Sequence, residues 1–308
     1  MHVLVGDVNM FDPNKRPIWV SEKGVRPHEV LSLSKVKNPQ VSVIVPIYNM
    51  ESKGFLRDLL RSLERQTLDD IELILVDDCS TDNSLAILSE FARERENAVL
   101  IELESNGRQG AARNVGLEHA RGRYIGFVDG DDVVDSQYFS ALLGLIEARS
   151  ADIAVAPFVL VDEQLSPLSG LEQQVSEADS GDITPESRVR LILSPAHVVC
   201  SLYRRSLFDS CGLRFPEGVF FEDNPTCFRL LCQAKSIVCL SPKEKCPSYK
   251  YRQSSGSTDH RSDIVVQLVH DRMTTSGMLF DDAVNCGFYD EERDAVDVYY
   301  LQIGLLNT

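Results

Sequence analysis

The sequence is short of positive charge. Lys and Arg number 31 against 47 Asp and Glu, a formal net charge of −16 over 308 residues. That shortage excludes a broad nucleic-acid surface, because counterion release needs clustered Lys and Arg. An anionic ligand is also repelled by the average field, so binding one needs a cation or a local basic pocket. None of the eight cysteines, at positions 79, 200, 211, 227, 232, 239, 246 and 286, stands in a CxxC pair, which argues against a zinc ribbon. The stretch "MHVLVGDVNMFDPNKRP" has no basic start leading into a long apolar core, so it does not read as a signal peptide. No apolar run approaches the roughly 20 residues that cross a bilayer. These absences point to a cytoplasmic protein with reduced thiols. Internal repeats and low-complexity tracts are missing too. What remains is ordinary for a soluble globular chain, 43% hydrophobic and 25% charged, long enough for one large domain with or without an appendage.

Residues 1–39 carry Pro13, Pro17, Pro27 and Pro39 and no sustained period. They read as an N-terminal extension that packs on the domain or stays partly mobile. From Val41 the pattern changes. "VSVIVPIY", "IELILVDD", "AVLIEL" and "RYIGFVD" are short apolar runs of the kind that form buried strands. Between them, Phe55, Leu56, Leu59, Leu60 and Leu63 share a helical face, and so do Leu85, Leu88, Phe91 and Ala92. Ser80 or Thr81 offers an N-cap for the second helix, and "RQGAARNVGLEHA" supplies the third. Strands alternating with helices over short connections predict an α/β fold: a mostly parallel central sheet with flanking helices. Ligands of such sheets bind outside the carboxyl ends of the strands. Those ends here carry "PIYN", "VDDCS" and "VDGDD", so three polar clusters should converge on one sheet edge. After Ser136, Tyr138, Phe139, Leu142, Leu143 and Ile146 form another helical face, and "DIAVAPFVLV" another strand. Residues 162–185 read as a loop. "RVRLILS" and "HVVCSLYRR" resume apolar and turn elements. Beyond Asp263 the pattern is helical, with Ile264, Leu268, Val296, Tyr300 and Ile303 at buried spacing.

Chemistry gathers in five places. "YIGFVDGDD" ends in Asp129, Asp131 and Asp132, three acids that repel one another unless something positive lies among them. A divalent cation held by one or two carboxylates and substrate phosphates fits; helix capping near Ser136 is the bland alternative. Asp77 and Asp78 end a strand where a carboxylate can accept from a base N–H or a ribose hydroxyl, or else support the next helix. Arg108 and Arg113, at the start of a helix and within it, either face a phosphate or pair with the strand-end acids. "GRQG" lacks the Walker Gly-Lys-Ser/Thr ending and is no phosphate loop. Glu222 and Asp223 follow the aromatic pair Phe220–Phe221, either as a base in an apolar rim or as a plain cap. "YKYRQSSGSTDHR" spreads Lys250, Arg252, His260 and Arg261 through a Ser- and Gly-rich stretch that could close over a diphosphate.

With "VSVIVPIYN", "ILVDDCSTDNS", "NGRQGAARNVGLEHARGRYIGFVDGDD" and "FFEDNPTCF" in this order, the chain resembles glycosyltransferase family 2, over about residues 41–255. The resemblance implies a GT-A fold, with a Rossmann-like nucleotide-binding half at about 40–135 and an acceptor half at about 136–260. A C-terminal helical segment then spans 261–308. It implies inverting transfer from a nucleoside-diphosphate sugar with Mn²⁺ or Mg²⁺ as cofactor. By position, Pro46, Tyr48 and Asn49 would border the nucleoside, and Asp77 and Asp78 would include the acid that reads the base. Asp129 would lie near the ribose and Asp132 toward the sugar, with Arg113 also in the nucleotide-sugar site. Asp131 would be the principal metal carboxylate of a DxD element, with His260 as a second candidate ligand. Arg252 and Arg261 would cover the diphosphate. Asp223 would be the base, supported by Glu222. Cys79 stands where the family more usually has Gly. The "QxxRW" element and membrane helices of processive synthases are missing. That favours a non-processive enzyme of the bacterial envelope or exopolysaccharide, acting on a glycan or lipid-linked acceptor, with the inner membrane surface or a partner enzyme as candidate docking sites. Two rivals are weaker. A sugar nucleotidyltransferase expects a Gly-rich basic loop where "YNMESKGF" stands. A non-catalytic module that binds nucleotide sugar or a partner enzyme expects loss of acids that are intact here.

Overall fold

Residues 41–47, 71–77 and 124–127 are buried without exception, the pattern of strands covered on both faces. The structure is a computed structural model that describes residues 11–20, 26–173, 175–193, 197–242, 246–254 and 262–301. The first five strands are β1 (His28–Ser32), β2 (Val41–Ile47), β3 (Ile71–Asp77), β4 (Ala98–Leu103) and β5 (Tyr124–Phe127). The helices among them are α1 (Leu56–Glu64), α2 (Ser84–Arg93) and α3 (Arg108–His119). Then follow β6 (Val133–Val134), α4 (Tyr138–Ala148), β7 (Ile153–Val155), β8 (Phe158–Val161), β9 (Gly181–Asp182), α5 (Pro185–Leu193), β10 (Ser201–Arg204) and α6 (Ser206–Asp209). The last elements are α7 (Asp223–Gln233), β11 (Ser236–Cys239), β12 (Tyr249–Arg252), α8 (Val265–Asn285), α9 (Phe288–Glu291) and α10 (Arg293–Leu301).

The fold is α/β. A nine-stranded sheet has the order β1-β4-β3-β2-β5-β10-β7-β11-β9, and a second sheet the order β6-β12-β8. In the large sheet β2, β3, β4, β5, β7 and β11 share one direction, and β1, β9 and β10 oppose it. The registers Val41↔Ile71 and Val41↔Tyr124 put the carboxyl ends of β3, β2 and β5 side by side. Pro46 is tolerated inside central β2 because the last β2–β5 pair is Ile44↔Phe127. Its missing N–H therefore falls beyond the ladder. Leu56, Leu59, Leu60 and Leu63 of α1 are buried, each side chain stabilising by about 1.5–3 kcal/mol relative to exposure. Tyr138, Phe139, Leu142, Leu143 and Ile146 of α4 are buried as expected.

Several expectations change. The N-terminal extension supplies β1, which pairs antiparallel with β4. The single strand expected over 152–161 is two, because Pro157 breaks the run. β7 stays in the large sheet, while β8 joins β12 in the small one. Residues 162–173 return along β8 through bridges Val161↔Pro167 and Phe158↔Glu172. The second helix starts at Ser84, later than a Ser80 or Thr81 cap requires. Asp82 wins that competition: its Oδ1 accepts the Ser84 N–H at 2.9 Å. Ile264 and Leu268 are only half-buried. Tyr300 is 37% exposed, while Val296 and Tyr299 take the buried face of α10. Ile303 lies outside the described residues.

Residues 11–20 bind the C-terminal helices. The Asp12 N–H donates to Cys286 O at 2.7 Å, Lys15 Nζ to Asn285 O at 2.7 Å and Ile18 N–H to Asp282 Oδ1 at 3.3 Å. Asp282 Oδ2 also accepts from Arg229 Nη1 of α7 at 2.8 Å, both side chains being fully buried. Arg229 donates in addition to Lys15 O.

Candidate active site

The three strand ends meet as expected, and each acid has its own post. Asp77 closes β3 and is fully buried. Its Oδ2 accepts from the Ser80 N–H at 2.9 Å, while Oδ1 has no hydrogen-bond partner among the described residues. Asp78 accepts the Gly107 N–H at 2.7 Å through Oδ1. Burial pushes Asp77 up and Asp78 up to about 6, against the donors that hold them down. Neither acid caps α2. Cys79 follows at φ +61, in the left-handed region that favours glycine, so the family's usual Gly has a backbone reason.

At the end of β2, Tyr48 is exposed. Asn49, at φ +53, spends its side chain on the neighbouring turn. Its Oδ1 accepts the Thr81 N–H at 2.8 Å and the Asp82 N–H at 3.3 Å. Its own N–H donates to Ser80 Oγ at 3.0 Å. Asn49 thus ties the ends of β2 and β3 together.

At the end of β5 the acids divide. Asp129 is half-buried, and its Oδ1 accepts from Arg113 Nη2 at 2.6 Å. The half-buried Asp131 carboxylate receives no bond from another side chain among the described residues. Burial and the Asp129 charge push it up, against Lys53. Asp132 is buried with both oxygens engaged: Tyr249 Oη donates at 2.6 Å and the Arg252 N–H at 2.7 Å. Burial, with Asp131 and Asp129 beside it, raises its carboxyl well above the usual range. Asp132 therefore holds β12 in place, where the sequence placed it toward the sugar. Arg252 is corrected likewise. It lies in β12, almost fully buried, not in a mobile loop. Its guanidinium donates to Asp131 O at 2.7 Å, to Glu163 O and to Asp58 at 3.3 Å, and lies 4.2 Å from the Phe55 ring centre. His260 and Arg261 lie outside the described residues.

At the other end of the Arg113 guanidinium, Glu222 and Asp223 open α7. Glu222 is buried and accepts from Arg113 Nη1. Asp223 is half-buried and receives no bond from another side chain among the described residues. Burial raises both carboxyls, and Arg113 opposes the rise. Their loop can seat against α3 because position 110 is Gly: a Cβ there would stand 2.1 Å from Pro216 O and 3.2 Å from Glu222 Cγ. Arg113, buried in α3, therefore pairs with the strand-end Asp129 and with Glu222 at the start of α7. Arg108 donates to Asp271 of α8 at 2.7 Å.

Tyr249 was missed by sequence reasoning. Its hydroxyl accepts the Asp129 N–H at 3.1 Å and donates to Asp132, so it props the acid turn from both sides. The signal was the aromatic alternation of "YKY".

Among the described residues no group of three or more His, Cys, Asp and Glu is set to hold a metal. The residues present still suit a divalent cation of the magnesium type. Such an ion takes one or two protein carboxylates and fills its shell with phosphate oxygens and water. Asp131 is the carboxylate of the turn that no other described side chain bonds, with Asp129 beside it. No described helix is long and apolar enough to cross a membrane.

Known proteins resemble this chain in sequence and fold. The chain is 37% identical over 227 residues to the uncharacterized glycosyltransferase EpsJ of Bacillus subtilis (strain 168), covering 71% of this chain and 62% of that protein. It is 31% identical over 207 residues to the poly(ribitol-phosphate) beta-N-acetylglucosaminyltransferase TarS of Staphylococcus aureus (strain Mu50), covering 66% and 34%. The chain thus spans less than two thirds of either relative. The crystal structure of S. aureus TarS 1–349 in complex with UDP superposes with a TM-score of 0.66 at 26% identity, over 85% of this chain and 71% of that one. The fold is that of this GT-A relative. The family model described as "Glycosyl transferase family 2" matches residues 42–212, which contain all three strand ends and Arg113, and on this match the chain belongs to that family.

Proposed function

We propose that the protein is an inverting, non-processive glycosyltransferase. In this reading it moves a sugar from a UDP-sugar to a hydroxyl of a glycan or lipid-linked acceptor in bacterial envelope or exopolysaccharide synthesis. The observation that carries this is the span of Arg113. One buried guanidinium joins the acid turn at the end of β5 to the acid pair that opens α7. Asp131 and Asp223 are left on either side, their carboxylates bonded to no other side chain among the described residues. The UDP complex of TarS and the names of the relatives support the donor class and the setting.

In this reading the nucleoside lies against the ends of β2 and β3, beside Tyr48, Asp77 and Asp78. Asp77 and Asp78 together supply the carboxylate that accepts from a base N–H. Asp131, with Asp129, would hold a bound Mn²⁺ or Mg²⁺, whose charge favours departure of the diphosphate. The acceptor hydroxyl attacks the anomeric carbon from the face opposite the diphosphate. Asp223 takes the hydroxyl proton, a C–O bond forms, and the bond to the diphosphate breaks with its electron pair leaving on UDP. Glu222 is already paired with Arg113 and serves as support.

A donor screen with UDP-, GDP- and dTDP-sugars, reading nucleotide release with and without acceptor extracts, tests the reading. UDP release that needs acceptor is expected, and binding of every donor without release would leave a non-catalytic module. Calorimetry of UDP with Asp131→Asn tests the metal assignment. Affinity should lose its Mn²⁺ dependence, and equal metal enhancement in mutant and parent would exclude Asp131 as the ligand.

A further inference from the structure

We propose that Asp271, on helix α8, is a positioning residue that sets the loop presenting Glu222 and Asp223. This rests on the reading of Asp223 as the base. Neither Asp271 nor that loop lies in the span 42–212 matched by the family.

Asp271 is 1% exposed, and four donor groups converge on it. Oδ2 accepts from Arg108 Nη1 at 2.7 Å and from the Phe220 N–H at 3.0 Å. Oδ1 accepts from Gln267 Nε2 at 2.6 Å and lies 3.1 Å from His270 Nδ1. Against burial, which raises it, these donors hold the Asp271 carboxyl below the usual range. The Phe220 N–H is three residues before Asp223, so the carboxylate grips the loop at its backbone.

Both rings of the loop are held from outside as well. Arg108 lies 4.0 Å from the Phe220 ring centre, and Arg272 lies 4.2 Å from that of Phe221. Two of the residues involved carry unfavourable backbone angles, Arg108 at φ +65 and Phe221 at φ +62. Such angles cost roughly 1–3 kcal/mol each and persist only where surrounding contacts over-determine them. The turn that aims Asp223 is therefore not a local preference of "VFFED". It is imposed by α8 and by the first residue of α3. A misplacement of about 1 Å at a reacting group can cost on the order of 10²-fold in rate.

Three variants test the proposal: Asp271→Ala, which removes every acceptor; Asp271→Asn, which keeps one for Phe220 and Arg108; and Val296→Ala, a core change in α10 as a stability control. For Asp271→Ala, turnover should fall about 10²-fold while UDP affinity stays within about twofold. Amide exchange over 219–224 should quicken, and Asp271→Asn should recover most of the rate. A rate loss no larger than that of Val296→Ala, or a loss of UDP affinity that matches the loss of rate, would overturn the positioning role. Should Asp271→Ala not fold, Asp271→Glu carries the same comparison, since it moves the carboxylate by one methylene. Asp223→Asn is run beside them. If its rate is normal, the base reading fails, and loop exchange alone then decides whether Asp271 anchors the segment.

Discussion

The Asp129 and Glu222 carboxylates share one guanidinium, that of Arg113, with Asp129 accepting at 2.6 Å. Lys has a single ammonium in place of the planar fork and cannot span both. Arg113→Lys should therefore keep the fold and lose about 10²-fold in turnover. Arg113→Met leaves buried Glu222 unpaired and should destabilise by about 3–5 kcal/mol. Transfer rates and denaturant unfolding on the same preparations check both. Full activity in Arg113→Lys would show that the bridge is only packing.

Asp223→Asn keeps size and hydrogen-bonding shape at the first turn of α7. Turnover should drop by about 10²–10⁴-fold, with UDP affinity unchanged, because the base faces the acceptor. Glu222→Gln should cost less, since Gln can still accept from Arg113. Burial raises the Asp223 carboxyl, so the acid limb of the rate profile should lie above the ordinary aspartate value of about 3.9. A profile flat down to that value would remove Asp223 as the titrating base.

Asp78 links stability to pH. Its carboxyl, pushed up to about 6 by burial, lies above the unfolded value of roughly 3.9. A group shifted in this direction adds stability below the unfolded value and loses it as pH rises through the folded one. Asp78→Asn should therefore melt higher than the parent at about pH 8 and match it near pH 3–4. If the carboxylate also reads the nucleoside, UDP should bind more weakly to the variant at the higher pH. Melting curves across this range, with calorimetry at each end, separate the two effects. Lower stability of the variant at the higher pH would reverse the assigned sign.

Cys79→Gly relieves the left-handed backbone at φ +61. An L side chain there costs roughly 1–2 kcal/mol, and glycine's added chain entropy offsets part of the gain. A net stabilisation of about 0.5–1 kcal/mol is expected from denaturant unfolding. Destabilisation would mean that the thiol's packing outweighs the strain.

The sheet's centre and its polar carboxyl edge could be read from the chain because buried parallel strands are continuous apolar runs whose last residues turn polar. Asp77, Asp129 and Asp131 were found that way. β1 escaped because its burial alternates weakly in a proline-rich stretch. Arg252 was misread because its partners Asp58, Asp131 and Glu163 come from three segments distant in sequence. A guanidinium in a Ser- and Gly-rich stretch gives no local sign of such company. Asp271 was invisible for the same reason, since a helix acid that caps nothing nearby looks like solvated surface.

The contacts of residues 11–20 have a consequence for biosynthesis. Ile18 is made 264 residues before Asp282, and Lys15 is made 270 residues before Asn285. The ladder of β2, β3, β4 and β5 can assemble as consecutive segments leave the ribosome. The leading segment cannot, because its partners are still untranslated. Until residues 282–288 emerge, Phe11 lacks the Phe288 ring it meets at 5.4 Å, and Arg229 awaits the Asp282 carboxylate that pairs with it. The earliest residues of this stretch are thus among the last to dock.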